Sequence, residues 1–372
     1  MENIFISPAR YCQGPGLLKS LGGKIKSYGS CCMVIGDAFV LNFTRERIQK
    51  SLKEAGIQVE ITAFSSECSY AEIERLSEQA KQFGAEIIVA VGGGKTLDTG
   101  KAVANNIKAA SVIVPTIAST DAPTSSLVVI YNEDHVHEDV LFLPKNPDLV
   151  LVDSEIIAAA PVRFLVAGIG DAIATKYEAE ACYKSDATNF QGGRCSVTAL
   201  ALAELCNDII LNHGISAKLS AENHLLTPSL EKVIEANILL SGLGFENGGE
   251  AVAHSFAGSL GLIPASNIAF HGEKVAVGVL IQLFLEDRPY KEIMELISFY
   301  RVIGLPTTLT ELGWSEPSEE DLARVASKMC QPGSITHNMP FEVSETMVIN
   351  AIKYLEHFQQ DSNNVVTLEN LG

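Results

Sequence analysis

The sequence predicts two domains, a parallel α/β domain followed by an all-helical one. Three observations carry this reading. The chain has 372 residues, which suits two domains at ~150 residues each. Up to about residue 160, short β-branched runs alternate with helical patterns, as in a parallel sheet covered on both faces. Beyond Pro161 such runs become few and alanine-rich helical patterns take over. The domains are therefore expected at 1–160 and 161–372.

The elements follow in order. Cys31–Ile35, Gln58–Thr62, Glu86–Val91 and Ser111–Val114 are short apolar or β-branched runs and read as buried strands. Between them Phe43–Ala55 repeats Ile48, Leu52 and Ala55 at helical spacing, and Tyr70–Phe83 repeats Ile73, Leu76 and Ala80. Lys95–Asn106 is the third helix. Leu127–Tyr131 and Val140–Leu143, joined by the polar Asn132–Asp139, read as an added hairpin. In the second domain, helices are expected at Asp171–Cys182, Val197–Ile210, Leu230–Leu240, Val275–Leu285 and Tyr290–Val302, with glycine and proline turns between them.

Composition narrows the function. Hydrophobic residues make up 47%, ample for a core. With 45 acidic and 27 basic residues the formal charge is −18, and no basic patch interrupts it. Such a chain repels nucleic acid and anionic lipid. No basic-then-apolar leader is visible at Met1–Tyr11, and no apolar run reaches the ~18 residues of a membrane span. The eight cysteines form no C-x-x-C pair, so reduced thiols in a cytoplasm are expected.

Three segments carry chemistry. Gly92-Gly93-Gly94 stands between a buried strand and a helix start, where backbone amides and the helix dipole can meet a phosphate. It is neither G-x-G-x-x-G nor a P-loop, since Val89 stands where that motif needs glycine. After the next strand, Val114–Ser125 is rich in hydroxyls and carries Asp121. Both loops should lie at the carboxyl edge of the sheet, where open α/β sheets bind ligands. Asp37 ends the first strong strand. There it can hold the ribose hydroxyls of NAD, or simply cap a helix.

In the second domain Asp171 reads as opening a helix, His254 sits among small residues, and His271 precedes another helix start. One carboxylate and two imidazoles make a three-ligand set for catalytic Zn²⁺, or Fe²⁺. Residue by residue, a helix cap and two hydrogen-bonded core histidines explain the same pattern, and the gap between the histidines is no local metal motif. His135 and His137 read as exposed, His337 lies in a polar turn, and His213, His224 and His357 read as solvent-facing.

Longer segments resemble a known family. Ile6–Tyr11, Val91–Thr99, Pro115–Thr124, Asn146–Val150, Gly168–Ala172, Glu235–Asn237, Ser241–Glu246, His271–Ala276 and Thr336–Asn338 are similar to the glycerol dehydrogenases. These belong to the iron-containing (group III) alcohol dehydrogenase and dehydroquinate synthase-like superfamily. The resemblance implies an N-terminal Rossmann-like domain, an all-α C-terminal domain and a cleft between them. It implies NAD contacts at Asp37, Gly94, Lys95, Thr116, Ser119, Ser125, Leu127 and Tyr131. It implies zinc on Asp171, His254 and His271, and a polyol meeting Asp121 and His254. The implied reaction oxidises glycerol or a related vicinal diol to the hydroxyketone, with hydride passing from the metal-activated alcohol to NAD. The implied assembly is a homo-oligomer, often an octamer. Alternatives are a related dehydrogenase for another small alcohol, diol or hydroxy acid, a lyase of the dehydroquinate synthase kind, or a non-catalytic binding protein. Two departures touch the substrate side: Lys176 stands where those enzymes usually carry Trp, and Ser255–Ser259 replaces their Ala-Ile/Val-His-Asn-Gly.

Overall fold

The computed structural model describes residues 2–65, 67–132 and 137–365. The chain forms two compact units, Ile6–Leu165 with Ser216–Leu243, and Met1–Phe5 with Val166–Ile215 and Gly244–Gly372.

The first unit holds β1 (Tyr11–Gly14), β2 (Cys31–Gly36), β3 (Gln58–Ala63), β4 (Ile87–Gly92), β5 (Ala110–Pro115), β6 (Leu127–Tyr131), β7 (His137–Phe142) and β8 (Leu149–Asp153). Six strands make one sheet in the order β1-β8-β5-β4-β2-β3, every pair parallel. β6 and β7 make the expected antiparallel hairpin. β1 and β8 are additions to the sequence reading, which found no strand in either segment.

Alternation along each strand supplies two cores. Val34, Val89, Val91 and Val112 pack with Leu41, Ile48 and Leu52 of α1 (Ala38–Glu54) on one face. Met33, Ile35 and Ile88 pack with Ile73 and Leu76 of α2 (Tyr70–Phe83) on the other. This two-sided burial is why the strands read as unbroken apolar runs. The helix α2 has its expected ends: Ser69 Oγ accepts from the Glu72 amide, and Gly84 takes the left-handed φ of 76°. The helix α1 starts five residues before the expected Phe43, because Asp37 caps it, its Oδ1 accepting from the Val40 amide at 2.9 Å. After β2 the chain goes to β3 on one side and returns to β4 on the other. The sheet's switch point thus lies between the ends of β2 and β4, where Asp37 and Gly92–Gly94 stand.

Ser216–Leu243 groups with the sheet unit. Its helix Pro228–Glu235 runs on through a π-turn at Ala236–Leu240. Asn237 Nδ2 there donates to the carbonyls of Ala118 and Leu165, and Thr124 Oγ1 donates to the Ile238 carbonyl. This segment clamps the hydroxyl-rich loop after β5.

In the second unit, α4 (Val162–Ser185) begins nine residues before Asp171. Asp171 is therefore a mid-helix residue, not a cap, which corrects the sequence reading. It is joined by α5 (Val197–Glu222), whose part from Ser216 on belongs to the first unit, and by α6 (Val252–Ser259) and α7 (His271–Leu285). No described helix is long and apolar enough to cross a membrane. All eight cysteines carry free thiols.

Candidate functional site

Glycine brings the ligating side chains together. A Cβ on Gly272 would stand 1.8 Å from the Ala167 carbonyl, and one on Gly170 2.4 Å from the Gly272 carbonyl. A Cβ on Gly278 would stand 2.4 Å from the Ala253 carbonyl. So α4 meets α7 backbone to backbone beside Asp171 and His271, and α7 meets the start of α6 beside His254. Glu273 fixes the start of α7 by accepting the Phe270 amide at 2.7 Å. Gly272→Ala is expected to lower thermal stability by about 1–3 kcal/mol through overpacking and to weaken metal binding with it. Gly258→Ala, with open space around its Cβ, should change neither; melting curves and metal titration check both.

The result is a compact donor set. One ligand atom each from Asp171, His254 and His271 lie within 4.8 Å of one another. Asp171 Oδ1 is 3.4 Å from His254 Nε2 and 3.3 Å from His271 Nε2. Asp171 is 1% exposed, yet neither of its oxygens accepts a hydrogen bond. A buried carboxylate without hydrogen bonds, facing two ring nitrogens, is a set that a divalent cation would satisfy. The His271 ring is half exposed, so the set opens to solvent on that side.

Sequence reasoning missed Glu178. This fully buried carboxylate accepts the backbone amides of Ala251 (2.8 Å) and His254 (2.9 Å) and faces His254 Nδ1 at 2.5 Å. It fixes the ring so that Nε2 points at Asp171, as carboxylates behind metal-binding histidines do. One signal was available: Glu178 lies seven residues after Asp171, on the same face of α4. Glu250 Oε1 also approaches His254 Nε2, at 3.6 Å.

The charges respond to this crowding. Burial works against the Asp171 carboxylate, but the His271 and His254 rings overcome it and lower its pKa. Burial likewise disfavours the His254 imidazolium, and Glu178 and Glu250 overcome it, raising its pKa. Burial pushes Glu250 up to about 7, against the pull of His254.

Thr336–Asn338 supports this wall. Thr336 Oγ1 donates to Ser255 Oγ at 2.7 Å, and Asn338 Nδ2 donates to the Glu250 carbonyl at 2.7 Å. The exposed His337 turns to the Gln331 carbonyl instead. Lys176 lies 3.9 Å from Glu180 and over the Tyr177 ring. His137, His224 and His357 are exposed, His213 is half-buried, and His135 lies outside the described residues.

The nucleotide-side residues lie in the other unit. Gly93 begins α3 (Gly94–Ile107) with no side chain capping it, so its first amides face the sheet edge uncommitted to a cap. A Cβ on Gly93 would press on Ile117 at 3.1 Å. That cradle fits a phosphate. Thr116 and Ser125 are buried and Ser119 half-buried in the adjoining loop. The Lys95 ammonium pairs with the buried Glu67 at 2.6 Å and stands over the Tyr131 ring. Asp121 is 8% exposed, and its Oδ2 accepts from Ser241 Oγ at 2.8 Å. Beneath the loop the buried Lys101 pairs with Asp98 at 2.8 Å and donates to the carbonyls of Ala122, Ser125 and Leu127.

A parallel sheet with a glycine turn at its carboxyl edge, together with an Asp-His-His set in a helical unit, is an arrangement for which known proteins match. Residues 8–154 match the iron-containing alcohol dehydrogenase family model, and the chain belongs to that family. Its relatives include a glycerol dehydrogenase of Thermotoga maritima, 47% identical over 98% of this chain and 100% of the relative. A glycolaldehyde reductase of Halobacterium salinarum is 43% identical over 95% and 96%. Among solved structures, glycerol dehydrogenase from Schizosaccharomyces pombe superposes with a TM-score of 0.95 at 37% identity, covering 98% of this chain and 93% of that one.

Proposed function

We propose that this protein is an NAD-dependent alcohol dehydrogenase that oxidises glycerol or a related vicinal diol to the hydroxyketone. The observation that carries the reading is the buried Asp171 carboxylate, without hydrogen bonds and facing two imidazole nitrogens. The likeness to glycerol dehydrogenases over nearly the whole chain supports the substrate class. Asp171, His254 and His271 would hold the metal, Zn²⁺ with Fe²⁺ as the alternative, which when bound supplies Lewis acidity toward an alcohol oxygen. NAD would supply the hydride acceptor.

The chain's own residues then bind and orient. The amides of Gly93 and Gly94 and the uncapped start of α3 receive the pyrophosphate, and Gly92 leaves room for the turn. Lys95, already neutralised by Glu67, contributes chiefly by holding Tyr131. Asp37 keeps a carboxylate at the edge for ribose hydroxyls while capping α1. Thr116, Ser119, Ser125, Leu127 and Tyr131 line the nicotinamide side. Asp121, oriented by Ser241, would accept a hydroxyl of the diol; His254, in the other unit, is the second residue assigned to the substrate. The neutral substrate accords with the chain's −18 charge, and free thiols accord with a cytoplasm; the homo-oligomer rests on the family resemblance alone.

The likeness to a glycolaldehyde reductase favours a second reading, reduction of a 2-hydroxyaldehyde at the same site. NADH absorbance with metal-replete protein separates them: glycerol, 1,2-propanediol, dihydroxyacetone and glycolaldehyde are assayed in both directions. Turnover of none of these overturns the proposal in favour of a lyase or a binding protein. Asp121→Ala is expected to raise KM for a diol by roughly tenfold to a hundredfold, the worth of one charged hydrogen bond. A mono-alcohol should be nearly unaffected; equal changes in both would sink the orienting role.

A further inference from the structure

We propose that Glu67 sets the affinity of the dinucleotide site by cancelling the charge of Lys95, which leaves the pyrophosphate to backbone amides. The inference rests on the reading of Gly92, Gly93 and Gly94 as the nucleotide turn. It gives a role to a carboxylate that sequence reasoning did not single out. Lys95 is the second residue of α3, where the positive end of the helix dipole disfavours a cation. Its ammonium is held there by Glu67 Oε2 at 2.6 Å and by the Tyr131 ring, 4.8 Å from the centroid.

The carboxylate is the fixed member of the pair. Its side chain is 7% exposed, against 46% for Lys95. Glu67 Oε1 accepts the Cys68 amide at 3.3 Å, and the Cys68 carbonyl accepts the Tyr131 amide at 2.8 Å. Ser69, next in the chain, caps α2. Glu67 is thus bound between the end of β6 and the start of α2, while the lysine keeps the freedom of a half-exposed side chain. The carboxylate's field reaches the ring: burial first, then Asp98 and Glu67, push the Tyr131 phenol up to about 12. Asp98 is matched by Lys101 at 2.8 Å, so each of these two lysines answers one acid.

A lysine at a helix start ordinarily adds to phosphate binding. Here Lys95 could turn to a pyrophosphate only by leaving Glu67 buried without its cation, which is costly. If the two stay paired, their fields largely cancel at a ligand. In both cases the carboxylate subtracts from the attraction. Affinity then rests on the amides of Gly93 and Gly94 and on the uncapped start of α3. A site built this way holds the dinucleotide without a strong charge pair, and the reduced cofactor can leave after each turnover.

The test measures binding on the purified full-length protein. NADH affinity is read from the fluorescence of the bound nucleotide and ADP-ribose affinity by competition, each at several salt concentrations. Glu67→Gln keeps the shape and an oxygen for the Cys68 amide. It is expected to tighten both ligands by roughly fivefold to tenfold and to make binding fall more steeply with salt, as an uncompensated cation does. Lys95→Met is expected to weaken both by a similar factor, because the carboxylate then faces the ligand alone. Adding Glu67→Gln to Lys95→Met should recover affinity relative to Lys95→Met, and this pair serves if Glu67→Gln alone does not fold. Unchanged or weaker binding by a folded Glu67→Gln, or no recovery in the double variant, would overturn the role of Glu67. A wild type with no saturable binding of NADH or ADP-ribose would instead sink the nucleotide reading of the turn.

Discussion

Asp171→Asn is expected to abolish retention of the metal and to lower kcat/KM by on the order of 10³-fold or more. The metal's stabilisation of developing negative charge is worth several kcal/mol, and about 4 kcal/mol corresponds to about 10³-fold. Asn keeps an oxygen but not the charge that two imidazoles and a cation share. The substitution also removes a buried carboxylate that is unsatisfied without metal. Loss of metal in a variant that still folds distinguishes a ligand from a residue needed only for the fold. Elemental analysis, steady-state kinetics and melting of the apo form supply the three readouts. Wild-type metal content in the variant would refute the assignment.

The second large effect concerns stability. Lys101→Met is expected to destabilise the sheet unit by about 3–5 kcal/mol, the usual cost of leaving a buried charge without its partner. Lys101 is 2% exposed and Asp98 5%. Asp98 Oδ2 accepts the Val129 amide, while its Oδ1 has Lys101 alone. Burial raises the Asp98 pKa and Lys101 pulls it back, so removing the lysine leaves burial dominant. The double variant Asp98→Asn with Lys101→Met should lose less than the sum of the single variants, since no unpaired charge remains. Denaturant unfolding measures this cycle. Dinucleotide affinity should fall as well, because Lys101 ties down the carbonyls of Ala122, Ser125 and Leu127 in the loop assigned to the cofactor. An additive cycle would show that the two side chains act separately.

Local rules accounted for much of the sheet unit. Tyr70–Phe83 was legible to the residue because its cap, its apolar spacing and its closing glycine all agree. The central strands β2, β4 and β5 were legible because both of their faces are buried, which leaves continuous apolar runs, and the edge strand β3 from its β-branched Val59, Ile61 and Thr62. β1 was not, since Tyr11–Gly14 carries polar residues at an edge, and β8 was overlooked although Leu149–Val152 is an apolar run of the same kind. The beginning of α4 was misplaced because Gly168 and Gly170 resemble a helix boundary. In the structure they are interior residues, and Gly170 is small because the α7 backbone passes against it.

The site shows the same division. The glycine turn proposed to receive phosphate was readable because three glycines, a strand and a helix start are adjacent in the chain. The clustering of Asp171, His254 and His271 was readable only through resemblance to known enzymes, since their spacing carries no motif. Glu178 and Glu250 escaped altogether, each being an ordinary acid until its distance to His254 is known.

By itself, then, the sequence determined the alternation of strands and helices, the glycine loop and the acidic character of the chain. Each of these is set by residues near one another, through periodicity, capping and composition. Only the tertiary structure decided that Asp171, Glu178, Glu250, His254 and His271 share one environment. The physical reason is that hydrophobic periodicity says which face of a helix is buried but not against what. Here the partner is selected by close backbone contact at Gly170, Gly272 and Gly278, where the informative feature is a missing side chain.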